Sequence, residues 1–324
     1  MRKAAFVVAA AALLALAISG CGTKVPGVPG TVAQVNGKAI PASTYLDQLS
    51  RRVGQEVLRN LIEQQIIIQW AQEEKVPPTT EQVQQQIDIL KRDGTWDDQV
   101  KLMGEDNIKS DIEALQARIN LAKKFTKANA QQLQQVYDTM KQRFVHGKRK
   151  QVLVILNADS SKLEEALKKI KEGKDFEDVS AEYTDRRFGM RGPIKVWVDL
   201  DQPGGMPPAI LKAAKDAKLG GVSEIVSFGQ PNGPSQSAIL KVVQEQPKMN
   251  KTLKDVKPEV ENMAALQNSQ IDPAFIRKLN TQLKDAKIKV NIKEFKDLAY
   301  GFKNPPEPSP TMLAPGRPTP RPPR

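Results

Sequence analysis

The stretch Lys150–Leu156, KQVLVIL, decides how the rest of the chain is divided. Its last five residues are apolar without interruption and three are β-branched, the composition of a buried strand. Ser160–Glu172 follows with apolar residues at helical spacing, closed by Gly173, and Phe176–Tyr183 reads as a short helix. A loop containing glycine and proline then runs to Gly192. Beyond it the pattern predicts a strand in IKVWV, a helix over Pro207–Lys215, and strands near Ser223–Phe228 and Gln236–Val243. This middle portion is a small α+β unit.

Outward from it, both flanks are helical. On the N-terminal side TVAQVNGKAI alternates around Asn36-Gly37, a strong hairpin signal. A helix starts in Pro41–Leu49, and a longer one is expected from about Gly54 to Glu74. The latter is apolar over more than one stripe (Val57, Leu58, Leu61, Ile62, Ile66, Ile67, Ile68, Trp70), so other helices should surround it. Pro77-Pro78 ends it. Thr79 and Gln82 can form a capping box for a helix through about Lys91. Asp93-Gly94 breaks that helix, Thr95 can cap another over Trp96–Met103, and two longer helices near Asn107–Phe125 and Ala128–Phe144 follow. After Pro247 the sequence predicts helices over Leu253–Asn268 and Pro273–Leu283, then a short strand, Ala286–Ile292.

The ends have different chemistry. Arg2 and Lys3 precede an unbroken apolar run, Ala4–Ile18, too short to span the roughly 30 Å hydrocarbon core as a helix. Basic start, short apolar stretch and small-residue end describe a secretory signal peptide over residues 1–20. It ends Ile18-Ser19-Gly20-Cys21, which resembles a bacterial lipobox, implying acylation of Cys21 and attachment to the outer face of a membrane. Residues 21–30 have the Gly/Pro composition of a tether, and Pro305–Arg324 is proline-rich, predicting a disordered tail over 304–324 with polyproline II character.

Composition excludes much. The 324 residues carry 40% hydrophobic and 27% charged residues, which rules out a wholly disordered chain and a multi-span membrane protein. One Cys excludes an internal disulfide framework and any multi-cysteine metal site. One His, His146, excludes mechanisms that need two imidazoles in one chain. Asp199 and Asp201 are two carboxylates without further ligands, and read as a solvated loop, so no metal and no cofactor are expected. His146 reads as an exposed linker residue. The net charge of +12 on an exported chain points to no nucleic acid.

In order along the chain, VAQVNGKAI, VLRNLIEQQIIIQWAQEEKV, TTEQVQQQI, KKIKEGKDFEDVSAEYTD, GMPPAILKAAKDAKLGGVSEIV and the final KIKVNI resemble the SurA/PrsA group of exported foldases. The resemblance covers Thr31–Leu298. It implies an α+β chain in which a helical chaperone domain (31–145) is completed by C-terminal helices (248–303). A parvulin-type peptidyl-prolyl isomerase domain (148–247) is inserted between them.

Parvulins, by that resemblance, grip the proline ring with an apolar trio and place two histidines and a Cys or Asp beneath the bond. The trio falls on Ile194, Met206 and Ile210, with Trp197 as an aromatic beside the slot. The histidine positions fall on Val152 and Ala238, and the Cys/Asp position on Arg186, so no catalytic residue is assigned. The grip is retained and the polar network is not. The resemblance therefore implies a lipid-anchored chaperone of the bacterial cell envelope that binds unfolded or newly exported polypeptides, with a weak or inactive isomerase. An active isomerase and an envelope scaffold lipoprotein are the alternatives, and a homodimer through the helical domain is left open.

Overall fold

In a computed structural model, residues 28–185, 192–201, 204–229 and 236–304 are described. The signal peptide, Cys21, most of the tether, Arg186 and the proline-rich tail lie outside them. The chain divides into two units, with the boundary between Asn60 and Leu61.

In the first unit β1 (Thr31–Val35) and β2 (Lys38–Pro41) form an antiparallel hairpin. Asn36 and Gly37 turn it with φ of 49° and 79°, the left-handed pair that a two-residue type I′ turn demands. Helix α1 (Ala42–Leu49) continues into a single π-helical stretch, Ser50–Gly54, and from there into α2 (Gln55–Glu73). The expected break before Gly54 is thus a change of helical pitch and not a loop.

The second unit holds the remaining elements. The capping box forms as expected: Gln82 N–H donates to Thr79 Oγ1 (3.3 Å), Thr79 N–H donates to Gln82 Oε1 (3.1 Å), and α3 (Thr80–Arg92) follows. Thr95 does not cap α4 (Trp96–Met103), because its hydroxyl donates backward to the Leu90 carbonyl. Next come α5 (Glu105–Phe125), α6 (Ala130–Thr139) and the one-turn α7 (Lys141–Phe144), so the helix expected over Ala128–Phe144 is broken at Met140.

Two short strands then mark where the chain leaves and re-enters the helical part. β3 (Val145–His146) pairs antiparallel with β8 (Met249–Asn250), holding the entry and exit of the insertion side by side. Within the insertion lie β4 (Arg149–Asn157), α8 (Ser160–Lys171), α9 (Phe176–Tyr183), β5 (Ile194–Asp199), α10 (Pro208–Asp216), β6 (Val226–Phe228) and β7 (Gln236–Gln246). The four-stranded sheet is antiparallel throughout, in the order β5-β4-β7-β6. β4 is central, so KQVLVIL is covered on both faces: Leu153 and Ile155 pack on α8 and α9, Val152 and Val154 on α10.

After the insertion, α11 (Lys257–Ile271), α12 (Pro273–Asp285) and α13 (Leu298–Lys303) return to the helical part. One core joins Ile66, Ile67, Trp70, Leu121, Phe275, Leu279 and Phe302, with Trp70 stacked on Phe125 at 5.5 Å. The burial expected along α2 is therefore confined to its second half, and Val57 and Leu61 are more than half exposed. No strand forms over Ala286–Ile292, although Ala286, Ile288 and Val290 are half-buried in alternation with exposed residues, and Ala286 and Ile288 pack on the helical core. Among the described residues no helix is long and apolar enough to cross a membrane.

Candidate functional site

The sheet register places the expected site residues. Ile194 lies opposite Val154 and Val196 opposite Val152 on one face of the β4–β5 pair, while Ala238, Leu240 and Val242 of β7 share that face. α10 covers it with Ile210 and Ala214. Ile194, Met206 and Ile210 thus belong to one aliphatic cluster, together with Val152 and Ala238. Val152 and Ala238 are fully buried, Ile210 is 5% exposed, and Ile194 and Met206 are half-buried. Leu156, Val226 and Phe228 pack against the same cluster; strand alternation around Val154 and Ala238 would have found Leu156 and Val226.

Trp197 is not brought to this cluster. It is out of phase with Ile194 and Val196, lies opposite Gln151, and carries the Arg149 guanidinium 4.5 Å from its ring centroid. Its neighbour Lys195 donates to Asp98 of α4 at 2.7 Å. The aromatic therefore belongs to the opposite face of the sheet.

His146 is not an exposed linker residue. It is 8% exposed, pairs with Met249, and its Nδ1 lies 2.7 Å from the Gly147 carbonyl oxygen. Asp199 ends β5 half-buried and Asp201 lies exposed in the bend after it, and both are engaged: Asp199 Oδ2 accepts from the Gly147 amide and Asp201 Oδ2 from the Lys148 amide, both at 2.9 Å. These carboxylates fasten the entry strand to the end of β5. Among the described residues no group of three or more His, Cys, Asp or Glu could hold a metal ion.

The floor of the cluster offers a ring only dispersion and apolar burial. Val152 and Ala238 have no donor, and Ser237 and Ser227, whose hydroxyls lie 2.9 Å apart, are out of phase with Ala238 and Val226 and so face the other way. Lys150 is the nearest buried cation on this face, and it is spent on structure. Its Nζ donates to the Lys215 and Ala217 carbonyls at 3.2 and 2.6 Å, closing the C-terminus of α10. Sequence reading missed this role, because a lysine at the start of a buried strand carries no signal of its partner.

Comparison with known proteins fits this geometry. Residues 128–258 match the family model described as the PPIC-type PPIASE domain. The chain is 26% identical over 299 residues to the foldase protein PrsA of Geobacillus kaustophilus, covering 90% of this chain and 96% of that one. Over nearly its whole length the chain is similar to PrsA foldases, and it carries a PPIC-type domain. The foldase protein PrsA of a second Geobacillus strain is also 26% identical, over 304 residues covering 92% of this chain and 99% of that one. The crystal structure of PrsA from Bacillus subtilis is similar over 83% of this chain and 97% of that one, at 22% identity and a TM-score of 0.33. The parvulin domain lies between helical N-terminal and C-terminal parts, as the element order of this chain also has it.

Proposed function

We propose that this protein is a lipid-anchored extracytoplasmic chaperone that holds unfolded exported polypeptides, and that its parvulin domain binds proline-containing segments with little or no catalysis. The observation that carries this reading is the aliphatic floor: Val152 and Ala238, on which the resemblance to parvulins puts the two imidazole positions, are fully buried in one aliphatic cluster with Ile194, Met206 and Ile210. Turning an X-Pro bond requires passage over a barrier near 20 kcal/mol, in which the amide twists out of conjugation. A catalyst must stabilise the twisted amide more than the planar one. An apolar grip holds both forms alike, which gives binding without acceleration.

Cys21 as the acylated residue, and placement outside the cytoplasm, are part of the same reading. They are supported by Ile18-Ser19-Gly20-Cys21 and by similarity to the PrsA foldases. Two acyl chains or more are needed for stable attachment, since each buried CH₂ contributes about 0.8 kcal/mol. Residues 31–145 and 248–303 would carry the chaperone body and 148–247 the proline-binding domain.

A second reading, an active isomerase, is favoured by the family match over residues 128–258. Cis-to-trans isomerisation of X-Pro tetrapeptides separates the two. A rate equal to buffer, together with slowed aggregation of an unfolded exported protein, is the expected result. Clear acceleration that is lost in Met206→Ala would replace the first reading with the second.

A further inference from the structure

A second candidate site lies away from the parvulin sheet, between α3, α5 and the start of α11. It is a cleft of about 440 Å³ whose walls carry Gln82, Gln85 and Gln86 on one side and Asn262 and Glu259 on the other. That volume is within the range of ligand-binding clefts. Gln116 of α5 also lines it; this side chain is 2% exposed, and its Oε1 has no hydrogen-bond partner. Buried amide oxygens are normally satisfied, so one left open in a cleft marks a place where a donor can arrive.

The surrounding groups narrow what that donor belongs to. Gln82 is fixed by reciprocal bonds to Asn120 (3.1 and 3.0 Å) and by the capping box, so its wall is rigid. Gln85 and Gln86 follow it by three and four residues, which lines their carboxamides along the same helix face. The Glu259 carboxylate is held by Arg92 at 2.8 Å. Between the charged side chains of Asp88, Lys251 and Asp255, the cleft carries the neutral carboxamides of Gln85, Gln86 and Asn262 beside a buried acceptor. Each carboxamide offers one donor group and one acceptor, as a peptide unit does, and can pair with main chain whatever its side chains are. An anion would meet the Gln116 oxygen and the Asp88 and Asp255 carboxylates, with Lys251 the one cation among the lining residues.

We propose that this cleft binds the main chain of an extended polypeptide segment, with Gln116 Oε1 accepting from a peptide N–H. The inference rests on the chaperone reading above and adds a holding site distinct from the apolar cluster of the parvulin domain. It would grip unfolded chains through their backbone, so that recognition is independent of sequence.

The test uses the whole protein with reduced, carboxymethylated lactalbumin as the unfolded probe. A photo-reactive benzoylphenylalanine at Gln85, on the exposed rim, should capture the probe, and the same group at Lys168 on α8 should not. Gln116→Met removes the buried acceptor at similar volume and should weaken binding about ten-fold, the worth of one hydrogen bond to a peptide group. Gln86→Ala, on the half-buried wall, should weaken it several-fold and covers the case in which the first variant fails to fold. Probe binding that is unchanged in both variants, with no capture at Gln85, would overturn the site and leave the chaperone reading standing. Failure of the wild-type protein to bind the probe at all would overturn both.

Discussion

Arg92 and Glu259 stand 167 positions apart in sequence and meet in a two-pronged ion pair, Nη1 to Oε2 at 3.0 Å and Nη2 to Oε1 at 2.8 Å. The pair ties the last turn of α3 to the first turn of α11. Arg143 joins it through Asp93, and the hydrogen bond to Glu259 raises the Arg92 guanidinium above its ordinary value. The Arg92 carbonyl is also a docking point for the inserted domain, accepting from Gln246 and, at 3.4 Å, from Gln244. One residue thus holds the helical part together and presents a backbone oxygen to the parvulin sheet.

Breaking that pair from one side should cost more than an exposed ion pair does. Both side chains are about one-fifth exposed, so Glu259→Gln leaves a partly desolvated guanidinium short of its partner, and a loss of roughly 2–3 kcal/mol is expected. Urea unfolding of Glu259→Gln, Arg92→Met and the double variant measures it. A coupling energy near zero in that cycle would show that the two residues are independent.

Gly94 should be equally sensitive for a different reason. Its φ is +72°, and a Cβ there would sit 2.5 Å from Gln244 Oε1 and 2.6 Å from Gln151 Nε2. The glutamine ends can swing away, but the left-handed backbone cannot be relieved, so Gly94→Ala should cost about 1–2 kcal/mol. Displacing Gln244 would also break its 3.1 Å bond to the Lys91 carbonyl. Hydrogen exchange should therefore quicken over Lys91–Thr95 and at the end of β7. Unchanged exchange at both places would mean that the glutamines do not dock the domain.

How much of this was legible in the sequence depended on whether the partner was local. The Asn36-Gly37 turn, the Thr79–Gln82 capping box and the KQVLVIL strand depend on residues a few positions away or on burial alone, and each formed as expected. Thr95 had an equally good local partner available, yet its hydroxyl turned back to Leu90. Ala286–Ile292 has the alternation of a strand, but a strand needs a neighbour that the sequence does not name. His146 reads as a linker residue because nothing nearby announces that Met249 will lie against it. The candidate site followed the same rule: strand phase put Ile194 with Val152 and Ala238, and the same phase sent Trp197 to the other face.

Placing imidazoles at Val152 and Ala238 should not create an active isomerase. Val152 and Ala238 are fully buried among aliphatic side chains, and a histidine at either place would desolvate a polar ring that finds no partner there. Val152→His and Ala238→His should each lose several kcal/mol, the second also by overpacking. The double variant should gain no X-Pro isomerisation activity. A double variant that kept its urea midpoint and accelerated isomerisation would show that the aliphatic floor is a recent replacement in a site otherwise ready for catalysis.

Acid should loosen the parvulin domain at α9. Asp175 Oδ1 accepts from the Glu177 amide at 2.8 Å and from the Asp178 amide at 3.3 Å, and these bonds, with Lys241 and Lys101 nearby, hold its carboxyl below the usual 3.8. A carboxylate with a lowered folded-state value contributes stability that is fully present above the unfolded value. It is lost as pH falls through the folded one, so the window lies below about pH 4. Asp175→Ala should cost about 1 kcal/mol at pH 7, the usual loss of an N-cap, while Asp175→Asn should cost only part of it. Between pH 4 and pH 2 the wild-type advantage over Asp175→Asn should shrink, since the amide does not titrate. Urea midpoints of the three proteins across that range decide the matter, and parallel pH profiles would show that the Asp175 charge has no part in holding α9.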